Sequence, residues 1–333
     1  MHLVLLFLVF CFFPQQAPGS CGAPDLSIVS QNLFPISKGQ IIFHAYHRYG
    51  DGSSQIYQYD FGLQKLRRLS KSKWGLKDSM NAQLSPDGKW IVFMGVIHAQ
   101  WEIFLWRIDS DSLPLDITSS KGAFRNEDPR FFPNGRGIVF KTDGQIAKMS
   151  LMFNGQTPVL GFPKILVDNR DGSENSMPAL SPDGRLLYFA KLKNGNSIIL
   201  AKDLSTGKIF SIENAPGAQA YGPNVRSDGA IFYSRHEDQF HSRDLIFMVG
   251  PSEILNSPES LQRTELKLNQ CDYDNSDPTA AGNGFVIFSS TRFGGTYSLF
   301  IYDLKNNKTW SINLDRLVLD PSLNVLGPAW SPM

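Results

Sequence analysis

The sequence predicts an all-β protein: a six-bladed β-propeller of four-stranded antiparallel blades. Three observations carry that prediction. A turn glycine recurs along the chain, the same pair of strands flanks it each time, and the C-terminal segment supplies the half-repeat missing at the front. The glycines are Gly39, Gly88, Gly135, Gly184, Gly229 and Gly284, spaced by 49, 47, 49, 45 and 55 residues. Repeats of about that length, each holding several short strands, are the unit of a propeller blade.

Within each repeat the elements follow in order. Residues 84–93 read Leu-Ser-Pro-Asp-Gly-Lys-Trp-Ile-Val-Phe and return at 180–189 as Leu-Ser-Pro-Asp-Gly-Arg-Leu-Leu-Tyr-Phe. Residues 132–140 are a degraded copy, and 227–232, 282–288 and 37–43 are weaker ones. Each reads as a hairpin in which Pro fixes φ at the first turn position and Gly takes a positive φ that other residues resist. A third strand follows a loop, as at Gln55–Asp60 and Ser298–Asp303, and a fourth follows a turn, as at residues 209–212.

The ends predict closure. Pro129, Pro178, Pro223 and Pro278 each stand six residues before their turn glycine, in the innermost strand. Residues 327–333, Gly-Pro-Ala-Trp-Ser-Pro-Met, are the first half of that hairpin and stop where Asp-Gly would come. Residues 37–43 are the second half without the first. The C-terminal strand therefore joins the first blade, which closes the ring and removes open sheet edges.

Ahead of the propeller (37–333) lie two short segments. Leu3 to Phe13 is an apolar run of eleven residues, shorter than the roughly twenty a spanning helix needs. Followed by Pro14 and the small residues Ala17 to Ser20, it reads as a signal peptide over 1–20 and implies export to periplasm, envelope or exterior. Residues 21–36 are then a tail. Cys21 is a candidate for lipidation, the one membrane link expected, or for a disulfide with Cys271. Lys and Arg number 32 against 31 Asp and Glu, so no basic field exists to bind nucleic acid. A monomer is expected.

These repeats resemble the TolB-like propeller family. Its Ser-Pro-Asp-Gly-Lys turn, apolar strand, Ser/Arg/Gly loop and Asp-Leu strand end match residues 84–93, 180–189, 289–295 and Asp303-Leu304. The resemblance covers about 37–333 and implies the fold; blades of this kind serve binding proteins, peptidase gates and lyases alike.

Loops between second and third strands share one face with the interblade loops, around the channel mouth, where side chains can converge on a ligand. They hold the candidate ligand-binding residues His47 and Arg48, His98 and Trp101, Arg235, His236 and His241, and Arg292. Arg and His there suit a carboxylate-bearing partner, or several His a metal; solvated or internally paired side chains are the plainer alternative. Asn126, Asn175 and Asn275 recur nine residues before their turn glycines and read as structural caps of the mouth. Trp90, Phe93, Phe140 and Phe189 read as core.

Catalytic motifs are missing. His236 and His241 are five apart in a loop, not four apart on a helix as a zinc peptidase needs, and no Gly-x-Ser-x-Gly elbow occurs. The sequence thus points to an exported binding or scaffolding module with a protein or peptide partner and no cofactor. The alternative is a metal-dependent lyase or hydrolase on acidic oligosaccharides, since oligogalacturonide-lyase-like propellers, which these repeats also resemble, use a His-bound divalent metal in the channel.

Overall fold

The computed structural model describes residues 35–119, 122–217, 219–236, 243–251, 254, 261–270, 273–282, 284–312, 314 and 319–332. Cys21, His241, Cys271 and the segment read as signal peptide lie outside the described residues. Six antiparallel sheets form the blades.

Blade one joins β1 (Gln40–Tyr46), β2 (Gln55–Asp60) and β3 (Lys65–Arg68) to the last strand, β25 (Asn324–Ser331), in the order β25-β1-β2-β3. The closure expected from the two half-repeats is therefore present, with Gln40 opposite Ser331 and Tyr46 opposite Asn324. Blade two runs β4 (Ser79–Leu84), β5 (Trp90–Ile97), β6 (Gln100–Arg107) and β7 (Leu115–Asp116). Blade three begins with β8 (Asn126–Phe131), β9 (Gly137–Thr142) and β10 (Gln145–Asn154). It then adds β11 (Thr157–Leu160) and β12 (Lys164–Val167). Blade four is β13 (Glu174–Leu180), β14 (Leu186–Lys193), β15 (Asn196–Asp203) and β16 (Ile209–Glu213). Blade five is β17 (Ala220–Val225), β18 (Ile231–His236), β19 (Asp244–Val249) and β20 (Arg263–Glu265). Blade six is β21 (Asn275–Ala281), β22 (Phe285–Ser290), β23 (Ser298–Asp303) and β24 (Lys308–Ser311).

Two expectations need correction. Blade three has five strands, not four, because β10 is ten residues long: its inner half pairs with β12 and its outer half with β11. The overhanging hairpin leaves Met152 and Val159 exposed. In blade six Gly282 takes a positive φ (63°) and Gly284 does not, so Gly284 is not the left-handed residue of that turn. Gly39, Gly88, Gly135, Gly184 and Gly229 all take positive φ as read from the repeat.

The core lies between blades. The middle strands present apolar side chains to both neighbours, so Ile41, Phe43, Val92, Phe93, Phe140, Phe189, Phe232 and Phe288 are all excluded from solvent. Phe93, Phe140 and Phe189 are core, as the repeat predicts; Trp90 is half-buried and stacks on Phe153 of the overhanging hairpin at 5.0 Å. Buried apolar area of this kind, at roughly 25 cal/mol per Å², is what holds sheet to sheet.

Candidate functional site

Every innermost strand carries the same irregularity. Its register against the second strand slips around one residue pair: Asn81-Ala82, Asp128-Pro129, Met177-Pro178, Gly222-Pro223, Asp277-Pro278 and Gly327-Pro328. The first residue of each pair is left-handed, with φ between 49° and 61°. Glycine accepts this freely, but Asp128, Met177 and Asp277 are non-glycine residues before proline, a conformation that costs on the order of 1–3 kcal/mol each. Six such bulges form a ring lining the channel, and each turns a backbone N–H out of the sheet ladder.

Side chains of neighbouring blades accept from four of those N–H groups, at Asn81, Met177, Asp277 and Gly327. The Asp128 carboxylate accepts from the Met177 N–H (3.1 Å) and from Asn81 Nδ2 (2.7 Å). Asp277 accepts from the Gly327 N–H (3.0 Å), and its own N–H donates to Ser234 Oγ (3.1 Å). The Asn81 N–H faces His44 Nδ1 at 3.4 Å. That contact uses the neutral imidazole, and burial, with the Arg130 charge as a second cause, lowers the His44 pKa to about 3.

Charge at this level is not paired off. Arg130, two residues past the bulge Asp128, enters no ion pair among the described residues; its one side-chain hydrogen bond runs from Nη1 to the Pro129 carbonyl at 2.9 Å. Burial pulls its pKa down while Asp128 and Asp277 hold it up. Asp277 is pushed up by burial, and among the described residues its Oδ1 accepts no hydrogen bond. Blades three and six are three places apart in a ring of six. Arg130 and Asp277 therefore stand on opposite walls of the bore.

Towards the mouth the wall formed by blades five and six is acidic. Tyr221 donates its hydroxyl to Asp244 Oδ2 at 2.5 Å, and His236 Nδ1 lies 2.8 Å from Asp244 Oδ1. Asp274 accepts from the Asp244 N–H at 2.9 Å. Burial, reinforced by Asp274 and Asp277, raises Asp244 to about 6 even though Tyr221 and His236 oppose it. Burial first and Asp277 second raise Tyr46 to about 12, and Tyr297 is raised by burial and then by Asp274. On blades one and two Tyr46, Tyr49 and Trp101 form a run of ring contacts at 6.2 and 6.5 Å.

The sequence-predicted residues are dispersed around this mouth. His47 is exposed, 3.4 Å from Ser322 Oγ; Arg48 is exposed in the same loop. His98, also exposed, sits in a tight turn with Ala99 (φ 49° and 63°). Trp101, Arg235 and His236 belong to strands β6 and β18 and not to loops, because β6 begins at Gln100 and β18 extends to His236. Arg235 is committed to Glu213 (3.1 Å) and packs over Phe247 at 3.9 Å. Arg292 donates to the Leu268 carbonyl (2.6 Å) and Asn275 Oδ1 (3.3 Å), and burial lowers it to about 10. Both guanidiniums are engaged within the protein. Asn126, Asn175 and Asn275 are buried; the first two donate across blades, to Glu102 and to the Gly144 carbonyl, and Asn275 caps the Tyr273 carbonyl just before its own strand.

Sequence reasoning missed Arg130, Asp277, His44 and Tyr221. A signal was present: the residue before each registered proline, seven before the turn glycine, is Asp, Met, Gly or Asp where strand interiors favour β-branched residues. A separate cleft of about 290 Å³ lies between blades three and four. Its charges are mutually satisfied: Glu127 pairs with Arg125 and Lys141 at 2.8 Å each, and Lys141 also meets Glu174. Among the described residues, no group of three or more His, Cys, Asp or Glu side chains is arranged to hold a metal ion, and no helix is long and apolar enough to cross a membrane.

Comparison with known proteins gives the fold. No protein-family model matches the sequence, and no curated protein matches it. Among solved structures the chain is similar to TolB from Acinetobacter baumannii, with 17% identity, a TM-score of 0.63, and 89% of this chain and 67% of that one covered. It is similar to Kuenenia stuttgartiensis hydrazine synthase at 15% identity and a TM-score of 0.67, covering 89% of this chain and 48% of that one. A chain of the nidogen/laminin complex matches at 13% identity and a TM-score of 0.60, over 88% of this chain and 98% of that one. The chain thus spans about two thirds of the TolB chain and about half of the hydrazine synthase chain.

Proposed function

On this TolB-like propeller fold, the fold of a scaffold or binding module, we propose an exported protein- or peptide-binding module that takes its partner at the channel mouth. One observation carries the reading. Polar groups from blades one, three, five and six converge on one opening, and Arg130 and Asp277 at its base keep uncommitted donors and an uncommitted acceptor. Both side chains are only half-buried, so those groups are open to a ligand and are not held by a neighbouring blade. The nidogen/laminin complex, by its name an assembly of two proteins, supports a propeller that binds protein. Export rests on the apolar run from Leu3 to Phe13 and the small residues after it.

The test places a photo-crosslinking amino acid at Tyr49 or at Leu63. Tyr49 is exposed at the mouth, and Leu63 is exposed in the β2–β3 turn on the opposite face. A biotinylated pool of mixed-sequence octapeptides is expected to crosslink from position 49 and not from position 63. Equal labelling from both, or from neither, would remove the channel mouth as the binding face.

A further inference from the structure

We infer that the bore holds its partner by the main chain, with one peptide group of an extended segment seated between Arg130 and Asp277. The segment's carbonyl accepts from the guanidinium and its N–H donates to the carboxylate. This rests on the reading of the channel mouth as a peptide site and names what the deeper level recognises.

The chemistry follows from what the two walls leave open. Arginine offers five N–H donors in a fixed fork. Arg130 spends one on the Pro129 carbonyl, and its side chain is only half-buried, so the other donors are not taken up by the described residues. Asp277 spends Oδ2 on the Gly327 N–H and keeps Oδ1. One wall is a donor and the opposite wall an acceptor. Arg130 and Asp277 belong to blades on opposite sides of the ring and form no ion pair with each other.

Three occupants can be compared. A carboxylate suits Arg130 but is repelled by Asp128 and Asp277 together. An ammonium suits the two aspartates but is repelled by Arg130. A trans peptide group is neutral and directs its C=O and N–H to opposite sides of the chain, so it meets both walls at once without adding charge to the bore. Recognition of this kind is indifferent to side chains at that level. Flanking residues then meet Tyr46, Tyr49 and Trp101 on one side and Tyr221 and Tyr297 on the other. Both sets are amphipathic surfaces suited to varied side chains.

The experiment measures equilibrium binding of the full chain to a fluorescent pool of mixed-sequence octapeptides in three forms. These are uncapped, acetylated and amidated, and acetylated and amidated with every backbone nitrogen methylated. Capped peptides are expected to bind within about threefold of uncapped ones, because no chain-end charge is read. Methylation, which removes every N–H and keeps every carbonyl, is expected to weaken binding at least tenfold, as is Arg130→Gln. Methylated peptides binding as well as capped ones would overturn the inference and leave the peptide-binding reading standing. Binding by uncapped peptides alone would also overturn it, in favour of recognition of a charged end. If no form binds, the inference and the reading fall together. Should Arg130→Gln not fold, the three pools on the unmodified protein decide the matter.

Discussion

His44 shows what the bore does to a single residue. It is buried on β1 with a backbone N–H aimed at Nδ1 and Arg130 nearby, so protonation would bury a second cation beside Arg130 and set a donor against that N–H. The unfolded chain takes up this proton below about pH 6.5, whereas the folded chain resists until about pH 3. Stability is therefore lost as pH falls through that window, with a slope approaching about 1.4 kcal/mol per pH unit for one proton. Denaturant titrations of His44→Gln are expected to show a shallower acid-side slope than the parent by that amount between pH 6 and 4; parallel slopes would mean the imidazole is protonated in the folded chain. Asp244 works in the other direction. Raised to about 6, it keeps its proton in the folded state, so its contribution falls as pH rises from about 4 to 6, which is why the comparison must be between variant and parent. The sequence made the rim legible but not this level. His47, Arg48 and His98 stand between recognisable strands and so read as loop residues with chemistry to spare. His44, Arg130 and Asp277 sit inside strands, where alternation suggests packing, and only the three-dimensional ring shows that the inner strands face a bore and not a core.

The bulge is the element that makes the bore. A regular inner strand would alternate side chains between its two neighbouring blades and leave its N–H groups in the ladder. The left-handed residue interrupts this, and in four of the six blades its N–H goes to a side chain of the neighbouring blade. Gly327 tests that account most directly, since it combines a φ of 61° with close approach: a Cβ there would lie 2.6 Å from His44 Cε1. Gly327→Ala is expected to destabilise by about 2–3 kcal/mol in denaturant unfolding, through backbone strain and displacement of the imidazole. Gly222, with the same φ and no atom nearer than 4.0 Å to such a Cβ, should lose less on the same change. Equal losses would show that contact with His44 is not what constrains the position. At this scale the hairpins were readable because turn chemistry is local: Pro-Asp-Gly at Pro86 and Pro182 dictates its own geometry. The fifth strand of blade three was not, because nothing short-range in β10 says that its outer half will find β11 instead of solvent.

At the scale of the molecule, the ring is sealed by one pairing, β1 with β25. Six residue pairs join two segments almost the whole described chain apart, and Trp330 packs on Phe61 at 5.7 Å to anchor the seam. Deleting residues 324–333 would leave β1 an open edge and blade six without its neighbour. The expected outcome is loss of the cooperative thermal transition and appearance of soluble aggregates on gel filtration; a cooperative monomer would show that the ring does not depend on the seam. Closure was legible because two incomplete hairpins, 37–43 and 327–333, complement each other, an inference that needs only the repeat. The seam also governs how the molecule is made. Bringing Gln40 to Ser331 closes a loop of nearly three hundred residues, an entropic cost of about 5 kcal/mol that no local contact repays in advance. Five blades can condense from neighbouring segments while blade one waits, its edge a template for any β25 within reach. At low concentration the nearest is its own. When chains are crowded it belongs to another molecule, and the same pairing that closes one ring then ties two together.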